Sequence, residues 1–510
     1  MAKAKKGKHP EPTKYPGIIL GKHPRRNEFL CSYGQTFAML AAEPGSGKGV
    51  GAVIPNLMLF PDSVVVCDPK RENYEITAGF RSKMGHSCYC FQPESLQTHR
   101  YNPLAYLRQD TLYRVGDTRT VASTLFSPGG DTKNAGWYKK AGDAFTAIVL
   151  FLMETPEMSL TLPQVYEIAA APVGVANWIE KTVAARKQSG RPLSHECERE
   201  LMNFASGKSN PAGFASTEGI LKERLSLFAE KTVANALSGN DFDFRELRKK
   251  RMSIYFCVSQ TALAKFGILM NLFFTQAILQ NTSVLPEQGG TNPDGTRVLK
   301  YQVLMLMDEF AVMGVIDVMK TAPALTRAYN VRYLIIFQNK SQLRADSMYG
   351  KEGANAIMEA FHVEMVYAMK DSESAKEYSD RLGNTTVKSI SESRNYGKSG
   401  GRSRSKSDHV RPLMLPQEIT EMSYSEQLIF ISGTKKSKPL KIKARKIFWY
   451  EEEKLKVRAN LPLPSIPKAD ESRISSLTVP ATLPDASVEF TASMQQNIKA
   501  EEARRKNITQ

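Results

Sequence analysis

The sequence predicts an α/β protein organised around a mainly parallel sheet, and three observations lead to this class. Short apolar runs with the length of buried strands recur along the chain. Several of them end directly in polar or charged residues, which is where an open parallel sheet binds its ligands. Segments with helical composition separate the runs, and one long central stretch lacks strand signals, which predicts an inserted all-α domain.

The first apolar run, 37–41, leads into a glycine-rich turn. Glycines at 45, 47, 49 and 51 leave the backbone free of side chains, so its N–H groups can close around an anion. The segment after Lys48 has the composition of a helix start, and Lys48 would reach the β- and γ-phosphates of a nucleotide. The predicted phosphate-binding residues are Pro44, Gly45, Ser46, Gly47, Lys48, Gly49 and Val50.

This turn departs from the usual phosphate-loop pattern at two positions. Ala42 stands where the first glycine is usual, and Gly49 replaces the Ser or Thr whose hydroxyl usually holds Mg²⁺. A magnesium ion would therefore lose one protein ligand. A glycine-rich turn that binds no nucleotide is the alternative interpretation.

Length and charge narrow the choice of partner. The 510 residues exceed one small domain, and the formal net charge of +17 favours a polyanion, either nucleic acid or an anionic membrane surface. The six cysteines are scattered without the spacing of a zinc or redox site, which fits a reducing cytoplasm. We find no run of about 18 apolar residues and predict no transmembrane segment. Residues 1–32 are predicted to form a basic, flexible arm.

The next strand, 63–68, ends in Asp68, and helical composition over 72–84 precedes a third strand at 87–91. Asp68 and Lys70 are secondary candidates for the nucleotide site or a subunit contact, with a turn-forming Asp-Pro as the alternative. Over 111–240, apolar residues recur at three- and four-residue steps, which predicts the all-α domain. It would divide the sheet domain into 33–110 and 241–450.

The second half of the chain supplies an acidic pair. After a strand at 253–258, the strand at 301–307 delivers Asp308 and Glu309 to its carboxyl end. In an ATPase, Asp308 would support Mg²⁺ and Glu309 would polarise the attacking water. A solvated acidic pair is the alternative.

The strand at 331–337 is followed by Gln338, whose amide could contact the γ-phosphate. Arg327 and Arg332 lie near the start of that strand. In a ring of subunits an arginine here, for which we choose Arg327, would reach a neighbour's nucleotide. A surface arginine is the alternative for either residue.

The order of these features resembles the coupling proteins of conjugation and type IV secretion, the TraG/TraD-type ATPases. The resemblance covers about 32–447 and rests on PGSGKGVGAVIPNL, VVVCDPKREN, NPAGFASTEGIL, FDFRELRKKRMSIYFCVS, LMLMDEFAVMG and LIIFQNKSQL. It implies a RecA-like P-loop motor domain with an all-α insertion, ATP and Mg²⁺ as cofactors, and a hexameric ring at the cytoplasmic face of the bacterial inner membrane. Members usually begin with transmembrane helices, whereas this sequence starts almost directly at the motor domain. A soluble variant, a truncated product and a chain without its anchor remain open.

Two further segments complete the prediction. The Ser-, Gly- and Arg-rich tract 388–412 is predicted to be a mobile loop that grips DNA phosphates without reading bases, with a solvated linker as the alternative. Residues 451–510 are polar and proline-punctuated, which predicts a disordered, partner-recruiting tail. The predicted DNA-binding residues are Lys388, Arg394, Lys398, Arg402, Arg404, Lys406 and Arg411.

The leading interpretation is an ATP-hydrolysing motor that delivers DNA to a type IV secretion channel. By the resemblance, its cargo is single-stranded DNA with an attached relaxase. One alternative is a nucleotide-gated adaptor that recruits protein substrates with little hydrolysis, motivated by Ala42 and Gly49. Another is a DNA segregation or packaging motor of the same fold.

Overall fold

The computed structural model describes residues 15–129, 131–394, 402–433 and 437–482. Within these ranges eleven strands form one sheet in the order β2-β1-β13-β12-β9-β3-β8-β7-β4-β6-β5, and two more form a separate ribbon, β10-β11. The strands are β1 Ile18–Lys22, β2 Phe29–Ser32, β3 Ala38–Ala41, β4 Ser63–Pro69, β5 Ser87–Phe91, β6 Met252–Val258, β7 Val303–Met307, β8 Val331–Phe337, β9 Val363–Val366, β10 Asn384–Arg394, β11 Arg402–Pro412, β12 Glu426–Ile431 and β13 Leu440–Arg445.

Helices cover both faces of the sheet's parallel part and form the block between β5 and β6. They are α1 Ile54–Leu59, α2 Glu72–Lys83, α3 Arg114–Leu125, α4 Ala135–Met153, α5 Leu162–Ala169, α6 Val175–Gln188, α7 His195–Ser206, α8 Pro211–Leu225, α9 Lys231–Ala236, α10 Leu263–Asn281, α11 Val318–Leu325, α12 Lys340–Arg344, α13 Gly350–Ala360, α14 Ser372–Leu382, α15 Pro416–Thr420, α16 Glu453–Ala459 and α17 Glu471–Ile474.

The strands from β9 to β5 pair in parallel, and β2, β1, β13 and β12 extend the sheet antiparallel at one edge. Every residue of β3, β6, β7 and β8 is buried, because helices cover both faces of the parallel part. The α/β class and its mainly parallel sheet are therefore confirmed.

The helices α3 to α9 follow one another between β5 and β6. Ala141, Phe145, Ile148 and Leu152 are buried along one face of α4, as their spacing predicts. The Thr161 hydroxyl caps α5 by accepting a hydrogen bond from the Gln164 backbone N–H. These helices share one apolar core with the sheet, and a domain boundary at 111–240 stays a prediction.

One helix among the described residues is long and apolar enough to cross a bilayer. It covers Gln260–Asn281, and 72% of its most apolar window is buried inside the protein. Phe266, Met270 and Phe273 of this helix belong to the same core as the sheet. Its burial is that of a core helix of an α/β fold.

The N-terminal arm predicted over 1–32 is wrong for residues 15–32, which contribute β1 and β2 to the sheet. Ile18, Ile19 and Leu20 are buried there, and the Ile19 backbone N–H donates to the Asn56 side chain at 2.8 Å. This short apolar run is therefore long enough to make a strand near the sheet's edge. Residues 1–14 lie outside the described part of the chain.

Arg332, in β8, is fully buried, so the alternative that it is a surface arginine is wrong. Its guanidinium donates hydrogen bonds to the backbone carbonyls of Pro16, Ser32 and Thr36, which fastens the β1 and β2 region to β8. Burial lowers the pKa of Arg332 to about 9.

We expect Arg332→Met to lower the free energy of unfolding by at least about 2 kcal/mol, because buried carbonyls lose their donors. The matched control is Arg25→Met at an exposed position in the loop between β1 and β2, which should change stability by less than about 0.5 kcal/mol. Denaturant unfolding of both variants measures the difference. Equal stability of the two variants would contradict a fastening role for Arg332.

The carboxyl-terminal region is ordered further than the sequence predicts. We call residues 461–482 the C-terminal strap. The Thr98 backbone N–H donates to the Pro467 carbonyl at 3.0 Å, and the Ala469 N–H donates to the Leu96 carbonyl at 2.8 Å. Further on, the Gln164 side chain exchanges two hydrogen bonds with the Val479 backbone, at 2.7 and 2.8 Å.

These contacts, together with the helix α16 over Glu453–Ala459, make the disordered-tail prediction for 451–510 wrong over 451–482. Polar, proline-rich sequence gave no sign of packing, because the strap is held through its backbone rather than by an apolar stripe. Residues 483–510 lie outside the described part of the chain.

The basic tract is also more regular than predicted. Where we expected a mobile loop over 388–412, β10 and β11 form an antiparallel hairpin, paired from Asn384 with Pro412 to Arg394 with Arg402. The ribbon has no apolar alternation because its described side chains are nearly all exposed, so the usual strand signal is missing. Residues 395–401, which include Lys398, lie outside the described part.

Candidate nucleotide-binding site

The phosphate loop begins where β3 ends. Gly45 and Gly47 have φ of 75° and 84°, in the left-handed region that favours glycine, and they turn the chain sharply around Ser46. Helical structure starts at Gly49 and continues into α1. A Cβ atom added at Gly45 or Gly49 would meet nothing within 4 Å among the described residues, so open space lies beside the loop. This geometry is that of a backbone cradle for an anion.

Lys48 and the acidic pair meet in space, although 261 positions separate Lys48 from Glu309 in the chain. The Nζ atom of Lys48 lies 3.2 Å from Oδ1 of Asp308 and forms an ion pair with Glu309. The sheet order explains the meeting, since β3 and β7 both flank β8 and all three run parallel. Their carboxyl ends therefore reach the same edge.

Asp308 is only 7% exposed. Burial raises the pKa of Asp308, and the ammonium of Lys48 opposes that rise. Burial also acts to lower the pKa of Lys48, but Asp308 and Glu309 outweigh it and the net change is upward. The ammonium of Lys48 thus lies between two carboxylates where all three side chains are largely shielded from solvent, so that the charge interactions are strong.

A divalent cation fits this arrangement. Oδ1 of Asp308 is buried and already lies 3.2 Å from the ammonium of Lys48, so it is a hard oxygen atom that faces a positive charge, as a ligand of a metal cation does. In the part of the chain that the structure describes, no group of three or more His, Cys, Asp or Glu side chains could hold a metal ion. Magnesium is commonly bound by one or two carboxylates together with substrate phosphates, so a carboxylate oxygen beside a phosphate cradle suits it.

Glu309 has a left-handed backbone, with φ of 63° and ψ of 45°. Such a conformation costs a non-glycine residue about 1–3 kcal/mol and persists only where the surrounding structure imposes it. Here it follows directly on the last residues of β7 and places the carboxylate beside Lys48.

Asp68 lies at the same edge, but its carboxylate is buried and engaged. It accepts hydrogen bonds from the backbone N–H groups of Asn73 and Tyr74, at 3.1 and 2.8 Å, at the start of α2. Burial raises its pKa to about 7. Lys70 is exposed, with φ of 89°. Asp68 therefore has a structural role at the helix start.

Gln338 follows β8, between the strands that supply Lys48 and Asp308. Its side-chain oxygen accepts a hydrogen bond from the amide of Gln342 at 3.2 Å. The structure thus places Gln338 at the correct edge and gives it a partner within its own loop. A sensing role stays a prediction.

Arg327 lies at the other end of the strands, away from this chain's own phosphate loop. Its guanidinium donates to the Ala360 carbonyl at 2.7 Å and lies 5.3 Å from the centre of the Phe37 ring, just before β3. The structure does not bring Arg327 to Lys48. A role for Arg327 at a nucleotide would therefore require a neighbouring subunit.

The hairpin carries the predicted DNA-binding residues that are described. In the pairing of β10 with β11, Lys388 lies opposite Asp408, and Arg404 lies opposite Glu392. Arg411 forms an ion pair with Glu418 and is therefore neutralised in part. Lys388, Arg404 and Lys406 are exposed.

Two residues beside the phosphate loop escaped the sequence analysis. The Nζ atom of Lys446, which is only 4% exposed, donates to the Ser46 carbonyl at 2.9 Å, and burial lowers the pKa of Lys446 to about 8. Oη of Tyr424 lies 2.6 Å from the position of a Cβ at Gly47. A lone Lys and Tyr in a polar stretch give no local signal, so only the fold reveals them.

The sheet order and the meeting of a phosphate loop with two carboxylates place the protein in the RecA-like α/β class. The solved coupling protein TrwBdeltaN70 in its unbound form has a TM-score of 0.58 at 14% identity, covering 85% of this chain and 88% of that chain. TrwB in complex with the ATP analogue ADPNP also has a TM-score of 0.58, at 13% identity, covering 86% of this chain and 89% of its own. At these identities the likeness shows the fold.

The family model for type IV secretory system conjugative DNA transfer matches residues 3–470, and the chain belongs to this family. It is 28% identical to protein VirD4 of Agrobacterium fabrum over 477 residues, which are 92% of this chain and 65% of VirD4. It is 26% identical to conjugal transfer protein TraG of Escherichia coli, over 82% of this chain and 66% of TraG. The chain therefore spans about two thirds of the length of these relatives.

Proposed function

We propose that the protein is an ATP-hydrolysing coupling protein that recruits DNA, with an attached relaxase, and translocates it to a type IV secretion channel. The observation that carries the proposal is the contact of Lys48 with Asp308 and Glu309 beside an open glycine cradle. Membership of the conjugative DNA transfer family supports DNA transport as the process that the protein serves. The structurally similar coupling protein TrwB has been solved in complex with an ATP analogue and with ADP and Mg²⁺, which supports the choice of ligand.

The chain's own groups divide the work at the nucleotide. The backbone of 44–50 and the ammonium of Lys48 hold the phosphates, and Lys48 leaves the carboxylates to do so. The carboxylate of Asp308 would hold the cation, and Glu309 accepts a proton from the attacking water. Bound Mg²⁺ would neutralise the charge that develops on the phosphate oxygens.

Two further residues would act around the reaction. Gln338 reports the γ-phosphate from the end of β8, and Arg327 acts in trans in a hexameric ring. The position of Arg327, remote from this chain's own phosphate loop, supports a role that needs a neighbour. The ring would lie at the cytoplasmic face of a bacterial inner membrane.

The test is ATP hydrolysis by the purified chain with and without single-stranded DNA. We expect turnover that depends on Mg²⁺ and rises when DNA is added. ATP binding without turnover, together with stable capture of a protein partner, would support the nucleotide-gated adaptor instead. A rate of ATP hydrolysis that DNA leaves unchanged would contradict the proposed dependence of the ATPase on DNA.

The hairpin gives a second prediction. Replacing Arg402, Arg404 and Lys406 with Gln should weaken single-stranded DNA binding and make its salt dependence shallower, because fewer counterions are released. For three lost phosphate contacts, the negative slope of log K against log salt concentration should become less steep by about 2. Fluorescence anisotropy with a labelled oligonucleotide at several salt concentrations measures it.

The matched control removes the same charge elsewhere. Lys83, Lys181 and Lys231 are exposed and lie outside the hairpin, so their triple replacement with Gln should leave the slope nearly unchanged. Equal effects of the two triple variants would mean that net charge, not the hairpin, attracts DNA.

A further inference from the structure

Three aromatic rings stack beside the phosphate loop, and we call Tyr424, Phe448 and Tyr450 the aromatic ladder. The ring centres of Tyr424 and Phe448 are 5.3 Å apart with an interplanar angle of 6°, and those of Phe448 and Tyr450 are 5.6 Å apart with an angle of 15°. Phe448 is buried in the middle, whereas Tyr424 is 52% exposed and Tyr450 is 41% exposed. The ladder therefore offers large π surface to solvent at a fixed orientation.

The ladder is attached to the loop that would hold the phosphates. Oη of Tyr424 lies over Gly47, and a Cβ added at Gly51 would meet the Ile447 carbonyl at 3.5 Å. Between them, the ammonium of Lys446 donates to Ser46 and lies 4.8 Å from the centre of the Tyr424 ring. The ring and the cradle are thus joined through Lys446.

We propose that the exposed ring of Tyr424 is the surface on which the base of the bound nucleotide stacks. This inference rests on the proposed nucleotide site, and it assigns the part of the ligand that the phosphate loop does not contact. A base is joined to its phosphates through one ribose, so its binding surface must lie close to the cradle. Tyr424 meets that condition and is held in place by Phe448 and Lys446.

Every base has a π face, so stacking does not distinguish bases by their hydrogen-bonding groups. The strength of stacking depends instead on the area of the base ring. The proposed surface therefore favours purine over pyrimidine nucleotides and discriminates little between adenine and guanine. Lys446 joins the loop to the ring, since its ammonium donates to the Ser46 carbonyl and lies 4.8 Å from the centre of the Tyr424 ring.

Calorimetric titration of the full chain with ATP, CTP and inorganic tripolyphosphate, each with Mg²⁺, tests the assignment. Tyr424→Ala should weaken ATP binding about tenfold, the effect typical of losing one base–aromatic stack. It should leave tripolyphosphate binding unchanged and reduce the preference for ATP over CTP. Tyr424→Phe should bind ATP like the wild type. Tyr33→Ala, a similarly exposed tyrosine on another edge of the fold, is the control and should change nothing.

The outcomes separate this inference from the proposed function. Equal weakening of ATP and tripolyphosphate by Tyr424→Ala would mean that the ring only supports the loop, and no weakening of either would place the base elsewhere. Each result overturns the stacking surface and leaves the nucleotide site intact. A wild-type chain that binds neither ATP nor tripolyphosphate would overturn both proposals.

Discussion

Replacing Glu309 with Gln is expected to reduce the kcat for ATP hydrolysis about 10²–10⁴-fold, the usual cost of removing a general base. The amide keeps the size and hydrogen-bonding reach of the side chain, but it cannot take a proton from water. ATP binding should persist, because the cradle and Lys48 are unchanged. Phosphate release under saturating ATP measures turnover, and calorimetry measures binding.

Glu43 provides the matched control for Glu309. It lies just before the phosphate loop, and its carboxylate accepts a hydrogen bond from the Lys370 backbone N–H, away from the acidic pair. Glu43→Gln should therefore retain most of the turnover. A Glu309→Gln variant with wild-type kcat would show that another group activates the water.

Replacing Lys48 with Ala is expected to impair both binding and turnover, with kcat lower by about 10²–10³-fold, as for the loss of one group that stabilises developing charge. Without nucleotide, the same change leaves Asp308 and Glu309 facing each other without their cation. The free energy of unfolding should then fall by about 3–5 kcal/mol, the cost of breaking a buried ion pair.

The two effects of Lys48→Ala are measured separately, by ATP titration and by denaturant unfolding without nucleotide. Lys370→Ala, an exposed lysine in the neighbouring loop, should alter neither. Unchanged ATP affinity in Lys48→Ala would contradict the cradle. Unchanged stability would mean that the two carboxylates are better solvated than their burial indicates.

The central strands could be predicted from the sequence because burial on both faces requires continuous apolar runs. The predicted bounds 87–91 and 331–337 are those of β5 and β8. β9 lacks a continuous apolar run, since its four residues include Glu364. That carboxylate is buried only because Lys340 and Arg381 pair with it, and such distant partners cannot be read from a local pattern.

The candidate site was predictable where each part lies at the end of a strand. Lys48, Asp308, Glu309 and Gln338 all follow apolar runs, and the parallel pairing of those strands brings their ends to one edge. Lys446 follows an antiparallel strand at the sheet's other side, in a segment where charged residues are frequent. Its contact with the loop depends on the whole sheet being assembled.

The hairpin and the strap show a different limit of sequence reasoning. Both are held mainly by hydrogen bonds of the backbone, to a paired strand or to distant parts of the chain, and neither has an apolar face of its own. Hydrophobic periodicity predicts which side chains are buried, so it gives no signal for segments that are held by contacts of their backbone.

The course of residues 461–482 affects how a truncation should be designed. The strap lies so close to α2 that a Cβ added at Gly79 would be 2.4 Å from the Leu461 carbonyl oxygen. Removing everything after residue 460 would therefore uncover α2 at Gly79 and strip Gln164 of its partner. Lost recruitment in such a shortened chain could then reflect a damaged scaffold. Ending the chain at residue 482 instead deletes only 483–510, and isolates any docking function that those residues have.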